Sequence, residues 1–426
     1  MFKEKLRNLM GVAAGSAKLA IGEGIARVCA MLTLILVSRK FGVSMLGSLA
    51  LAQTVAVYIA LGTDAGARHI GARLTAAWPG RVTAIRRRIQ AKRKILALIA
   101  IPLGLIYASV GPIPGDARVM VSLYALFVAP YCLSLDWVLW GAKRYGSMST
   151  SRALISALSL AALAIAVLLG VNPRWAIPVA AGIGYTGGAA YTRWQSSRIF
   201  QHEPDEAVAL PSDVNTDTRW KAVLVLGAAL ACNQAFNNID SLLLGGLTNL
   251  QQVGLYSSAY RLLTALLGIY YLLTTSLYPR MAEVAPENRS GEKLRLYLVG
   301  VFLAGILPAL LVAHFSREII VGIYGQHFAQ GAPMLALLIL ALPLDFVTSF
   351  CGVAMVAWGM SKRVLIATGT AAAVNIGANV YLIPRYGGLG ASWATLISYM
   401  ALLIVMLAML PWRPPASQCE VAAVGG

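Results

Sequence analysis

Along this chain the apolar residues gather into long runs separated by short polar connections, and within the runs polar and apolar positions do not alternate. A helix rising 1.5 Å per residue needs about 20 residues to cross roughly 30 Å of hydrocarbon, and the runs have that length. The hydropathy pattern predicts twelve membrane-spanning helices, over 11–37, 46–64, 95–112, 117–140, 152–170, 175–195, 221–246, 254–278, 294–315, 333–357, 364–384 and 389–411. A membrane β-barrel would show short segments of strict alternation, which stretches such as LISALSLAALAIAVLLG lack. The fold class expected is therefore an all-α polytopic membrane protein.

Composition supports this reading. Of 426 residues, 58% are hydrophobic and 12% charged, and the mean hydropathy is +0.70, against about 25% charged residues in soluble domains. The first run, broken by Lys18, Glu23 and Arg27, lacks a small-residue cleavage site and is expected to stay as the first span. Cys29, Cys132, Cys232 and Cys351 fall inside apolar runs, Cys419 near the end, and none forms a CxxC pair, so neither a metal site nor a disulfide framework is expected.

The net charge of +18 would suit nucleic acid, but its placement argues otherwise. With loops numbered in order, the termini and even loops hold 26 of the 35 Lys and Arg residues, and the odd loops hold six. The positive-inside rule then predicts that both termini are cytoplasmic. The cluster Arg81, Arg86, Arg87, Arg88, Lys92, Arg93 and Lys94 would face the anionic inner leaflet, as a lipid anchor or a substrate-capturing surface. A polar stretch over 196–220 carries Glu203, Asp205, Glu206, Asp213 and Asp217. It divides the chain into an N-terminal six-helix lobe (1–200), a cytoplasmic linker (201–220), a C-terminal six-helix lobe (221–411) and a tail (412–426).

The lobes look like repeats. LGSLALAQ around Gly47 and VGLYSSAY around Gly254 each open the second span of a set, and WGAKR at Trp140 and WGMSKR at Trp358 each close the fourth. Six spans is an even number, so the halves share one orientation, which is transporter architecture with a site expected between them.

Ionisable groups within the spans are few, and each costs about 2.5–3.5 kcal/mol at mid-membrane unless it finds a partner or water. In the first span Ser16, Glu23 and Arg27 share a face, and Glu23 and Arg27 have the i, i+4 spacing of an ion pair. They line a cavity or form a structural pair. Lys18 lies on the opposite side, near enough to the end to snorkel. The seventh span carries Asn233, Asn237 and Asp240 on one row and Gln234, Asn238 and Ser241 on the next, a face too polar for lipid. The eighth adds Ser257, Arg261 and Thr264 with Tyr256 and Tyr260 beside them. Asp136 stands with Trp137 and Trp140 near the end of the fourth span, readable as an interfacial belt or a sugar-stacking surface. Asp345 lies mid-span, and Asn375 and Asn379 read as helix-packing amides. The candidate cavity residues are thus Lys18, Arg27, Trp137, Trp140, Asn233, Asn237, Tyr260 and Arg261, with Glu23, Asp136 and Asp240 as candidate cation-coupling acids.

The segments SRKFGVSMLGSLALAQ, DAGARHIGAR, LDWVLWGAKRYGSMSTSR, NNIDSLLLGGLTNLQQVGLYSSAYRLL and NIGANVYLIPRYGGLGASWATLISY occur in this order. Together they resemble the oligosaccharide-flippase (polysaccharide transporter, Wzx-type) branch of the superfamily that holds multidrug and toxin extruders and the lipid II flippase. Where that pattern has glutamine-glycine after Asp-Trp, this chain has Trp140-Gly141, so nothing about substrate carries over from that position. The resemblance implies two pseudo-symmetric lobes in a V around a cationic cavity with alternating access. It also implies a polyprenyl-diphosphate-linked glycan as substrate, coupling to a cation gradient, and partners among membrane lipids and other polysaccharide-assembly membrane proteins; no cofactor is implied. A multidrug antiporter would favour an acidic cavity, whereas the buried set here includes Arg27 and Arg261. Lipid II stays open as a substrate. A membrane polymerase or glycosyltransferase would need acids or histidines on outward loops, where only Asp116 and Glu318 are expected.

Overall fold

The computed structural model describes residues 2–199, 220–283 and 291–410, with side chains from Ile21 to Ile199, at most positions of 220–270, and over 295–410. The segment 201–219 expected as a linker, the tail after 410, and the side chains of Ser16 and Lys18 lie outside the described residues. All regular structure among the described residues is helical. Six described helices are long and apolar enough to cross a membrane, or seven if the bent pair Gln326–Leu338 and Ala341–Ala357 is one span. All twelve predicted segments fall in or across these and the other described helices. The protein is a multi-pass membrane protein.

The chain forms two compact units, Met1–Ala231 and Cys232–Gly426. The first unit begins with α1 (Phe2–Asp64), which covers two predicted spans and turns between them at Gly42, where φ is 79° and ψ −172°. Only a residue without Cβ takes up that conformation readily. There follow α2 (Ala67–Ala77), α3 (Val82–Val110), α4 (Gly115–Phe127), α5 (Ala129–Leu133), α6 (Asp136–Gly141), α7 (Tyr145–Leu168) and α8 (Pro173–Ile199). α3 leaves Leu98, Ile99, Leu103, Ile106 and Val110 exposed, an apolar ridge suited to lipid tails and out of place in water.

Small residues bring the helices of this unit close together. A Cβ on Gly184 in α8 would lie 2.4 Å from the Ile155 carbonyl oxygen of α7, and one on Gly188 would meet the Ile155 side chain at 2.3 Å. Close approach of this kind is how helices pack where lipid is as apolar as leucine.

The fourth predicted span is not one helix. Pro130 in the first turn of α5 and extended backbone at Ser134 divide it into α4, α5 and α6. Broken backbone at membrane depth needs protein partners for the groups it frees. Here the Leu135 N–H donates to Thr192 Oγ1 at 3.2 Å, and Arg93 donates to the Ser134 carbonyl at 2.9 Å.

α9 (Trp220–Leu247) spans the division between the units, and α10 (Leu250–Glu283), α11 (Gly291–His314) and α12 (Ser316–Tyr324) follow. A 3-10 stretch, Gln326–Gly331, then leads into α13 (Ala332–Leu338), α14 (Ala341–Ala357) and α15 (Ser361–Met409). α15 again covers two predicted spans and turns at Gly387, with φ 57° and ψ −132°. Its core is built from Phe350, Cys351 and Met355 of α14 against Tyr399, Leu402 and Met406 of α15. The repeated tryptophan motifs do equivalent local work: Trp140 near the end of α6 is followed by left-handed backbone at Lys143, and Trp358 at the end of α14 by left-handed backbone at Gly359.

Candidate functional site

Among the described residues, polar side chains within the apolar helices gather in three places, each inside one unit. The first is on α1 and α7. The Glu23–Arg27 pair expected from i, i+4 spacing forms, with Arg27 Nε 3.5 Å from Glu23 Oε1. Arg152 of α7, counted from sequence with the cytoplasmic loop, joins it: its Nη1 donates to Glu23 Oε2 at 2.7 Å. The Arg27 and Arg152 side chains remain 47% and 42% exposed and that of Glu23 27%, so this cluster is only partly covered by protein, and it carries one net positive charge.

The second cluster lies where α1 ends. Ala65 and Gly66 both take left-handed backbone, turning the chain from α1 into α2 and leaving Asp64 at the corner. Asp64 Oδ1 accepts from the Arg68 N–H at 3.2 Å and faces Arg93 Nε at 3.5 Å. The Arg68 guanidinium donates to Asp136 and to the Tyr131 hydroxyl, and Arg93 donates to the carbonyls of Ser134 and Tyr131. Two arginines thus answer two aspartates and the exposed carbonyls of the α5–α6 break, a charge-neutral set of the kind that interior placement requires.

Three sequence expectations change here. Arg93 belonged to a basic cluster facing lipid head groups, yet it is fully buried, because α3 turns this side of the helix onto α5 and α6. Trp137, expected in the cavity, is also fully buried, stacked so tightly on α2 that a Cβ on Gly71 would stand 2.5 Å from its ring. Asp136, expected among the coupling acids, is the ion-pair partner of Arg68. Trp140, by contrast, is 39% exposed, with His69 edge-on at 5.5 Å. Sequence reasoning passed over Arg68 because hydropathy treats 65–94 as one polar loop, and over Asp64 because it falls at the very end of the predicted span 46–64. The signal was the small residues of DAGARHIGAR, which fit a short helix packed closely against its neighbours.

The third cluster, in the second unit, surrounds Asp240. Asp240 is 2% exposed, and its carboxylate accepts from Tyr256 Oη at 2.6 Å and Asn379 Nδ2 at 2.6 Å, with Thr395 Oγ1 at 3.0 Å. Asn379 also donates to Asn375 Oδ1 at 3.1 Å, so the amides expected as packing groups are the shell of this acid. Among the described residues the hydrogen-bond partners of Asp240 are all neutral, and Asn379 Oδ1 is buried with no hydrogen-bond partner there. A buried carboxylate answered by neutral groups costs more to keep charged than one with a counter-ion beside it.

The remaining candidates of this unit lie on α9, α10 and α14. Asn233 is exposed, and Asn237 is half-buried with its carbonyl taking the Tyr260 hydroxyl at 2.8 Å. Tyr260 stacks on Tyr256 with ring centroids 5.7 Å apart. Arg261 is half-buried on α10. Asp345 of α14 is 3.3 Å from Ser349 Oγ.

A family model described as "Polysaccharide biosynthesis protein" matches residues 12–285. The probable flippase AglR of Haloferax volcanii is 23% identical over 196 residues, which make up 45% of this chain and 41% of that protein. The match therefore spans less than half of that relative's length. Among solved structures, the lipid II flippase MurJ in an inward closed conformation superposes with a TM-score of 0.71 at 14% identity, covering 93% of this chain and 88% of that one. An inward-facing multidrug resistance MATE family transporter of the MOP superfamily gives a TM-score of 0.67 at 17% identity, covering 90% of this chain and 93% of that one. At these identities the likeness establishes the fold, and it is the fold that the quoted motifs led one to expect.

Proposed function

Because the chain belongs to the polysaccharide biosynthesis protein family, we propose that it is a flippase for a polyprenyl-diphosphate-linked oligosaccharide. It moves an O-antigen, capsule or exopolysaccharide repeat unit from the inner to the outer leaflet of the bacterial cytoplasmic membrane by alternating access, with both termini cytoplasmic. The observation that carries the reading is the partly exposed, net-positive cluster of Glu23, Arg27 and Arg152 on helices otherwise fit for lipid. Such a charge is costly in a membrane unless it serves an anion or a wet cavity. A guanidinium keeps its charge at all working pH values and offers a fork that matches phosphate oxygens. Asp240 supplies the coupling site in this scheme, since its neutral shell leaves it able to exchange a cation as access alternates.

Complementation of surface-polysaccharide export in a flippase-deficient strain tests the reading, with membrane levels of each variant quantified. Arg27→Ala is expected to lower export about tenfold or more, the loss of one charge-assisted phosphate contact, and Arg27→Lys to retain part of it. Full export by the double variant Glu23→Ala, Arg27→Ala would show that the pair only stabilises packing. Orientation is checked separately: alkaline phosphatase fused at the C-terminus is expected to be inactive and a fluorescent protein there to be bright. An active phosphatase fusion would overturn the topology.

A further inference from the structure

Sequence spacing accounts for Glu23 and Arg27 but not for the third member of their cluster. Arg152 Nη1 sits 2.7 Å from Glu23 Oε2 and Arg27 Nε 3.5 Å from Oε1, so each carboxylate oxygen holds one guanidinium. The arrangement is set by a very tight helix crossing. A Cβ on Gly22 would stand 1.8 Å from Ser149 Oγ and 2.8 Å from the Ser149 carbonyl oxygen, so α1 and α7 meet this closely only because residue 22 is glycine. Glu23 is the next residue along α1, and Arg152 lies three residues beyond Ser149, on the same side of α7. Both arginines are more exposed than the glutamate between them. The positive groups are presented outward and the acid is the recessed one.

We propose that Arg27 and Arg152 together form a two-arginine cradle for the diphosphate of the lipid-linked substrate, and that Glu23 is the internal anion that occupies the cradle when no substrate is bound. The proposal rests on the flippase reading and adds a residue, Arg152, and a division of labour to it. Two guanidiniums can each turn a fork towards a different phosphate, which a single one cannot do. Without Glu23 they would repel one another, and the carboxylate relieves that repulsion while leaving one positive charge to draw an anion in. An arriving diphosphate brings more negative charge and more acceptor oxygens than one carboxylate, so it displaces Glu23 from both arginines; when it leaves, the glutamate returns. Position fits this use. Arg152 is seven residues from the start of α7 at Tyr145, about 10 Å along the helix at 1.5 Å per residue. On the proposed topology that end of α7 is cytoplasmic, the side on which substrate is loaded.

The test is binding of geranylgeranyl diphosphate and of geranylgeranyl monophosphate to the full chain in phosphatidylcholine nanodiscs, read by microscale thermophoresis. The unsubstituted protein is expected to bind the diphosphate about tenfold more tightly than the monophosphate, the increment of one further charge-assisted contact. Arg152→Gln is expected to remove that preference, and Arg152→Lys, which keeps the charge and its pairing with Glu23, to fall in between. Glu23→Gln is expected to tighten diphosphate binding, because the competitor for the cradle is gone. If Arg152→Gln and Arg152→Lys both bind as the unsubstituted protein does, the cradle is overturned while the flippase reading stands. Glu23→Gln binding more weakly would overturn the place-holder role. No binding by the unsubstituted protein would overturn the ligand class, and the cradle with it.

Discussion

Replacing Asp240 with asparagine is expected to abolish the response of transport to an imposed cation gradient while leaving the protein in the membrane. The substitution keeps the shape of the side chain and removes its charge, so nothing remains to hold a proton or a cation against the neutral shell of Tyr256, Asn375, Asn379 and Thr395. It also sets an amide donor against groups that already donate. Asn379 Nδ2 and Tyr256 Oη both point hydrogens at the carboxylate, and one of them would lose its acceptor, at a cost of about 1–3 kcal/mol for a buried donor left unpaired. The two effects are separable. Transport of substrate into proteoliposomes with and without a proton or sodium gradient reads the coupling, and thermal unfolding of the purified variant reads the stability. Gradient stimulation that survives in Asp240→Asn at normal protein levels would remove this residue from the coupling scheme and make Glu23 the next acid to test.

The largest effect on stability is expected from Arg68→Ala. The Asp136 carboxylate, 16% exposed at its side chain, has Arg68 as its ion-pair partner, and its other oxygen is already without a partner among the described residues. Taking the arginine away leaves an uncompensated charge in the interior, and breaking a buried pair from one side costs about 3–5 kcal/mol. The Tyr131 hydroxyl loses its donor in the same step. Removing both charges and conserving volume, as in Arg68→Met with Asp136→Leu, leaves no lone charge behind and is expected to recover most of the loss. Unfolding in mixed detergent micelles, followed by tryptophan fluorescence, measures both variants. A single variant within about 1 kcal/mol of the unsubstituted protein, the size expected of a pair in water, would show that the pair is solvated.

Span length and the existence of intramembrane charge are local properties, and the sequence carried them alone. Runs long enough for the bilayer mark the helices, Gly42 and Gly387 stand at the breaks where two spans meet, and i, i+4 spacing is enough to pair Glu23 with Arg27 because both sit on one helix. What the tertiary structure decided is which polar groups meet across helices. Asp240 and Asn379 are 139 residues apart in the chain and 2.6 Å apart in space, and no periodicity in either helix points to the other. Sequence places Arg93 at the lipid head groups and counts Arg152 with a cytoplasmic loop, since hydropathy averages over a window and cannot tell an arginine facing outward from one turned into the protein. The side of the helix each occupies is settled by packing: broken backbone at Ser134 draws Arg93 inward to satisfy its carbonyl, and the glycine at position 22 brings α7 close enough for Arg152 to reach Glu23.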